Sequence, residues 1–276
     1  MFGVRLGIRV GNTSISGGVP LLLDLYPSAA AAYSVRKLSN GYSGSAIRVR
    51  RTDLTEQNIG FDATGNLDTA ALLSFTGTGA LDNGFVTTWY DQSGNANNAV
   101  QTTAIKQPQI VSAGSVLLFN GKPKINTESN RYFKITKIFN LDFSIISVVK
   151  NNGGSINKRI TGAISGNAST LRYTNSNTID STDGLNVLVT SSGTAPTAIN
   201  LISAIAKSNE AEVSINNTKT TNSIVRVASA IDLLFVQVEI TEFLNSDVCE
   251  VIIYSSNQSL NIAAINTNIN TYYGIY

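Results

Sequence analysis

The chain has 276 residues, 42% hydrophobic and only 14% charged, with 20 basic against 18 acidic residues and a net charge of +2. That apolar content fills a sizeable core and excludes disorder throughout, while the balance of charge excludes a broad field for nucleic acid. Histidine is absent, which removes the commonest general base and zinc ligand and every Ser-His or Cys-His nucleophile.

No run approaches the roughly 20 apolar residues of a membrane span. Residues 1–19 read as a lead segment, closed by Ser16-Gly17-Gly18. Within it Val4, Leu6, Ile8 and Val10 alternate with Arg5, Gly7 and Arg9, the period of a strand that could join a neighbour's sheet edge. The arginines are spread through the apolar residues, unlike a secretory signal, so synthesis in a cytoplasm is expected. This segment is the expected attachment arm, and residues 20–276 form one expected domain.

Residues 20–45 predict a short helix or turn leading into a strand, and Ile47 and Val49 continue as strand with Arg48 and Arg50 on one face. Arg48, Arg50 and Arg51 could also be a phosphate patch, but a strand explains their spacing. Residues 66–75 predict a helix capped by Asn66, with Asp68 at its positive end and Gly77 just past its close.

From residue 84 strands dominate: 85–90, 116–119, 143–150, 185–190, 201–207, 211–215, 224–227, 233–239 and 248–254, separated by Asn, Gly and Ser clusters. The single cysteine, Cys249, lies in an apolar run and predicts a buried small residue, with no intrachain disulfide possible. Residues 260–270 return to helix, with Ile262, Ile265, Ile269 and Tyr272 on one stripe and Gly274 as the stop. Many short strands with polar turns predict an all-β two-sheet sandwich with short peripheral helices.

The most specific stretch contains Tyr33-Ser34-Val35-Arg36, Tyr42-Ser43-Gly44, residues 47–51 and Trp89-Tyr90-Asp91-Gln92-Ser93-Gly94-Asn95. It resembles the N-terminal part of the fungal α-L-arabinofuranosidase catalytic domain, and similar blocks recur in structural proteins of tailed bacteriophages. The strand and helix at the C-terminus resemble the close of laminin-G-type domains. The resemblance implies a concanavalin-like jelly roll. It also implies a non-enzymatic virion protein, a head or tail fibre or decoration, guessed to be a homotrimer and joined to other virion proteins through residues 1–19.

The family's nucleophile is a Glu followed by Asn-Gly, yet no Glu occurs between Glu128 and Glu210. Its acid/base lies in a Gly-Gly-Asp-Asn stretch, absent here, as is its adjacent cysteine pair. The expectation is therefore no catalytic residue, no cofactor and no metal. Asp180 and Asp183 make the best substitute acid pair, though a turn explains them too. Glu239, Glu242 and Asp247 read as a solvated strand end.

Two alternatives remain: a lectin-like carbohydrate-binding module, and an arabinofuranosidase-type glycosidase. Tyr90, Asp91, Gln92 and Tyr173 are the candidate glycan contacts. Turn chemistry alone also accounts for Asp91, Ser93 and Gly94, which would lock a loop over the sandwich. Trp89 shares a strand face with Phe85 and Thr87 and predicts core packing rather than a sugar platform.

Overall fold

A computed structural model describes residues 18–128, 130–153, 158–163, 170–174, 178–183, 186–192, 198–225, 227–235 and 245–276. Residues 1–17 of the expected arm, with Val4, Leu6, Ile8 and Val10, lie outside the described residues, as do Glu239 and Glu242.

The centre of the fold is three long antiparallel strands, with Phe143–Asn151 between Asn200–Lys207 and Ser246–Tyr254. Ile146 faces Ser203 on one side and Ile252 on the other. These strands are buried along almost their whole length because protein covers both faces of the sheet. They therefore read as continuous apolar runs rather than as alternation.

Among the described residues the large sheet has sixteen strands, all paired antiparallel, and it curls into the two layers of an all-β sandwich. From Ser246–Tyr254 it runs through Ile125–Asn126, Gln109–Ser112, Gly84–Trp89, Ala99–Val100 and Phe133–Asn140 to Ser229–Leu234. A second, four-stranded sheet of Lys158–Arg159, Thr170–Tyr173, Ile179–Thr182 and Val187–Thr190 packs on Glu210–Ile215.

Trp89 is fully buried, its ring 5.8 Å from Tyr33 and 6.1 Å from Phe133. One side chain thus ties the N-terminal strand Ala31–Ser34 to two strands of the curled sheet. Cys249 is fully buried as well. Ile262, Ile265 and Ile269 bury the helix Ile262–Tyr273, and Gly274 ends it in the left-handed conformation at φ 61°.

Several local expectations need correction. The helix Thr69–Thr76 is capped by Asp68, whose side chain accepts from the Ala71 N–H, and not by Asn66. On the C-terminal helix Tyr273, not Tyr272, completes the buried stripe.

Residues 116–119 are split between Ser115–Val116 and Leu118–Phe119. Ile224 and Val225 carry no strand; the strand is Thr218–Ser223, immediately before them. That segment is Thr-Lys-Thr-Thr-Asn-Ser, exposed at nearly every position, so it has no apolar period to read. Its hairpin forms because Asn216 and Asn217 both accept positive φ, 47° and 70°, which suits the twist of a tight two-residue turn.

Candidate functional site

The Tyr90–Asn97 segment builds a clamp. Asp91 accepts from the backbone N–H groups of Ala32 at 2.8 Å, Ser93 at 2.9 Å and Asn97 at 3.0 Å, and from the Ser93 hydroxyl at 2.7 Å. The Gln92 amide takes the Leu38 N–H and donates to the carbonyls of Ser34 and Arg36. Gln92 therefore supplies partners for three backbone groups of this buried segment, the Leu38 N–H and the Ser34 and Arg36 carbonyls.

With that segment fixed, Arg36 is aimed at Glu250 on the long central strand. Its Nε lies 2.8 Å from Oε2 and its Nη2 3.1 Å from Oε1. The Ser34 hydroxyl adds a bond to Glu250 at 2.7 Å, and Asn268 accepts from Nη1 at 2.9 Å. Burial alone would lower the Arg36 guanidinium, but the charge of Glu250 holds it above its ordinary value.

Above this pair opens a cleft of about 300 Å³, walled by Arg36, Lys37, Asn40, the 62–65 turn and Tyr272. Each wall has a local cause. The Lys37 N–H donates to Gly65 O, which ties the turn to the clamped segment. Asp62 closes the turn by accepting from the Thr64 N–H, the Thr64 hydroxyl and the Asn66 N–H. The Thr64 hydroxyl leads the bonds that hold the Asp62 carboxyl below its usual range, so at neutral pH it only accepts.

The Tyr272 hydroxyl bonds Asn66, and the Arg36 guanidinium lies 4.9 Å and the Lys122 ammonium 4.1 Å from the centre of its ring. Exposed acceptor, ammonium, amide and half-buried ring together suit a small neutral polyol, which needs donors and acceptors in one place and an apolar edge beside them.

The four sequence candidates are not brought together in this cleft. Asp91 and Gln92 are buried and engaged in the clamp, and Tyr173 is buried in the four-stranded sheet. Tyr90 is half exposed and donates to Asn58 at 2.8 Å.

The acid pair also separates by role. Asp180 accepts from Arg172 at 3.1 Å and from the Thr190 hydroxyl at 2.7 Å, whereas Asp183 holds the N–H groups of Asn186 and Val227. Asp247 is buried against Lys124 at 2.7 Å, not solvated as expected. Sequence reasoning missed the cleft, since Arg36, Asp62 and Tyr272 share no spacing and only the folded chain makes them neighbours.

No protein-family model and no curated protein matches the sequence. Solved structures do match. A mutant GH54 α-L-arabinofuranosidase soaked with 4-nitrophenyl α-L-arabinofuranoside superposes with a TM-score of 0.72 at 15% identity, over 89% of this chain and 63% of that one. A GH54 α-L-arabinofuranosidase soaked with a cyclic sulfate inhibitor matches over the same shares at 15% identity, with a TM-score of 0.66. An arabinofuranosidase complexed with arabinofuranosyl-α-1,2-xylobiose gives 0.65, again at 15% identity and over those shares.

The chain thus spans 63% of the length of these structures. The likeness is one of fold. It overturns the expectation of a non-enzymatic virion component, because the structures matched are glycosidases and none of these three is a particle protein.

Proposed function

We propose that the chain acts on a glycoside, as a glycosidase on the arabinofuranosidase-type sandwich. The observation that carries this reading is the superposition of 89% of the chain on arabinofuranosidases at a TM-score of 0.72. Glycoside hydrolysis takes two carboxyl groups, one ionised beside the anomeric carbon and one delivering a proton. Asp180, held by the Arg172 guanidinium and the Thr190 hydroxyl within a sheet, is the carboxyl that the test addresses. Asp183 spends both oxygens on loop N–H and amide donors and serves the loop.

The test is hydrolysis of 4-nitrophenyl α-L-arabinofuranoside by the full chain beside Asp180→Asn and Asp183→Asn. Turnover that falls at least about a hundredfold in Asp180→Asn with the fold retained supports the reading. No turnover of this or other aryl glycosides by the folded chain overturns it.

A second reading, a carbohydrate-binding module, is favoured by the cleft over Arg36, where acceptor, ammonium and ring converge without an acid pair. Here Tyr272→Ala and Asp62→Asn would weaken sugar binding in calorimetry, and unchanged binding in both would dismiss it.

A further inference from the structure

At the strand Ile47–Arg51, two guanidiniums share one ring. Arg50 Cζ lies 4.8 Å and Arg131 Cζ 5.4 Å from the centre of Phe85, so the two charges are at most about 10 Å apart. We propose that Arg50 and Arg131, stacked on Phe85, bind the carboxylate of an acidic sugar, a uronate unit of a polysaccharide. The choice of a sugar as the carrier rests on the glycoside reading above; the anion site itself does not.

Neither arginine has an ion-pair partner among the described residues. Arg50 donates to neutral acceptors alone: Gln107 Oε1 at 2.6 Å, Arg51 O at 3.0 Å and Ala104 O at 3.4 Å. Arg131 donates to Gln109 Oε1 at 3.1 Å. Glu56 stands opposite Arg50 in the strand register, yet its carboxylate goes to Arg48 at 2.5 Å. Glu128, the acid acting on Arg131, accepts from Asn152.

Burial lowers both guanidiniums below their ordinary values, outweighing the opposing pull of Glu56 on Arg50 and of Glu128 on Arg131. Lys106 lies in the segment that Arg50 bonds through Ala104 O, and the Tyr132 N–H donates to Lys106 O at 3.2 Å. Its ammonium sits 5.5 Å from the Tyr132 ring.

The two guanidiniums are therefore held on one aromatic ring and on amide oxygens, which orient them without neutralising them. A planar carboxylate accepts two parallel N–H bonds from a guanidinium, and a sugar ring attached to it can lie along the adjoining aromatic rings.

The experiment is affinity electrophoresis through gels containing polygalacturonate or neutral arabinan, with sodium glucuronate and inorganic sulfate as competitors. Wild type should be retarded by polygalacturonate and released by glucuronate, and retention should fall about tenfold in Arg131→Gln. Arg48→Gln, altering an exposed and paired arginine, should retain wild-type mobility shift.

Equal retention of Arg131→Gln and wild type overturns the proposal, as does equal loss in Arg48→Gln. Release by sulfate as effective as by glucuronate overturns the assignment to a uronate. Because retention needs no turnover, these outcomes are separate from hydrolysis of the aryl arabinofuranoside.

Discussion

Arg36 and Glu250, 214 residues apart in the chain, meet through two nitrogens and two oxygens inside the fold. Only 10% of the arginine side chain and 1% of the glutamate side chain is exposed. The pair joins the clamped N-terminal segment to the central strand Ser246–Tyr254, and Arg36 lines the cleft.

Removing one partner leaves a buried charge without its counter-ion, a change that costs about 3–5 kcal/mol. Arg36→Gln should lower the free energy of unfolding by that amount in urea titration. Arg36→Met with Glu250→Leu should recover much of the loss, because two apolar side chains need no counter-ion. A loss in Arg36→Gln below about 1 kcal/mol would place the pair outside the cooperative core.

The Asp91 clamp predicts a different pattern. Asp91→Ala strands the N–H groups of Ala32, Ser93 and Asn97, each at a cost of about 1–3 kcal/mol unless water enters. The expected loss is about 3–5 kcal/mol by denaturant midpoint. Asp91→Asn keeps the shape and one acceptor oxygen and should lose less than Asp91→Ala. Equal losses in the two would mean that the bonds matter less than the volume.

These two networks mark how far the sequence could be read. Trp89 in the core, Cys249 buried and the Ile262, Ile265 and Ile269 stripe follow from local period and apolar runs, and the structure has all three. Asp91 as a turn-locking acceptor follows from residue type, though its distant partner, the Ala32 N–H, does not.

Thr218–Ser223 escaped because an exposed edge strand needs no apolar period. The cleft and the Arg50–Arg131 pair escaped for a different reason. Arg50 and Arg131 are 81 positions apart, and what unites them is Phe85 on an intervening strand. Charge spacing along the chain carries no trace of that.

Cys249 is fully buried, and burial pushes its thiol well above the ordinary range, with Asp247 and Glu250 adding to the rise. Thiolate is the reactive form, so the folded protein should not react with Ellman's reagent at neutral pH. One equivalent should react once denaturant unfolds the chain, and the reaction should track the unfolding transition. Prompt reaction of the native protein would contradict the packing of Ser246–Tyr254.

Asp24 fixes the rim of the cleft. Its carboxylate accepts from the N–H groups of Leu21 and Asn40, the Asn40 amide and the Ser39 hydroxyl. Burial by itself would raise this carboxyl, but the Leu21 N–H and then the Ser39 and Asn40 donors outweigh it, so the folded-state pKa lies below the ordinary value.

A carboxyl whose pKa is depressed by folding binds its proton more readily in the unfolded chain. Its contribution to stability is therefore full above the unfolded pKa of about 3.9 and is lost as pH falls through the lower folded value. Asp24→Asn removes this one titration while leaving the other acids to act equally on both proteins. The gap in thermal midpoint between wild type and Asp24→Asn should be constant from neutral pH down to about pH 5 and should narrow below about pH 4. Because Asp24 is largely exposed, the gap should also shrink when salt is added. A gap that stayed constant or widened on acidification would show that the Asp24 bonds do not depend on its charge.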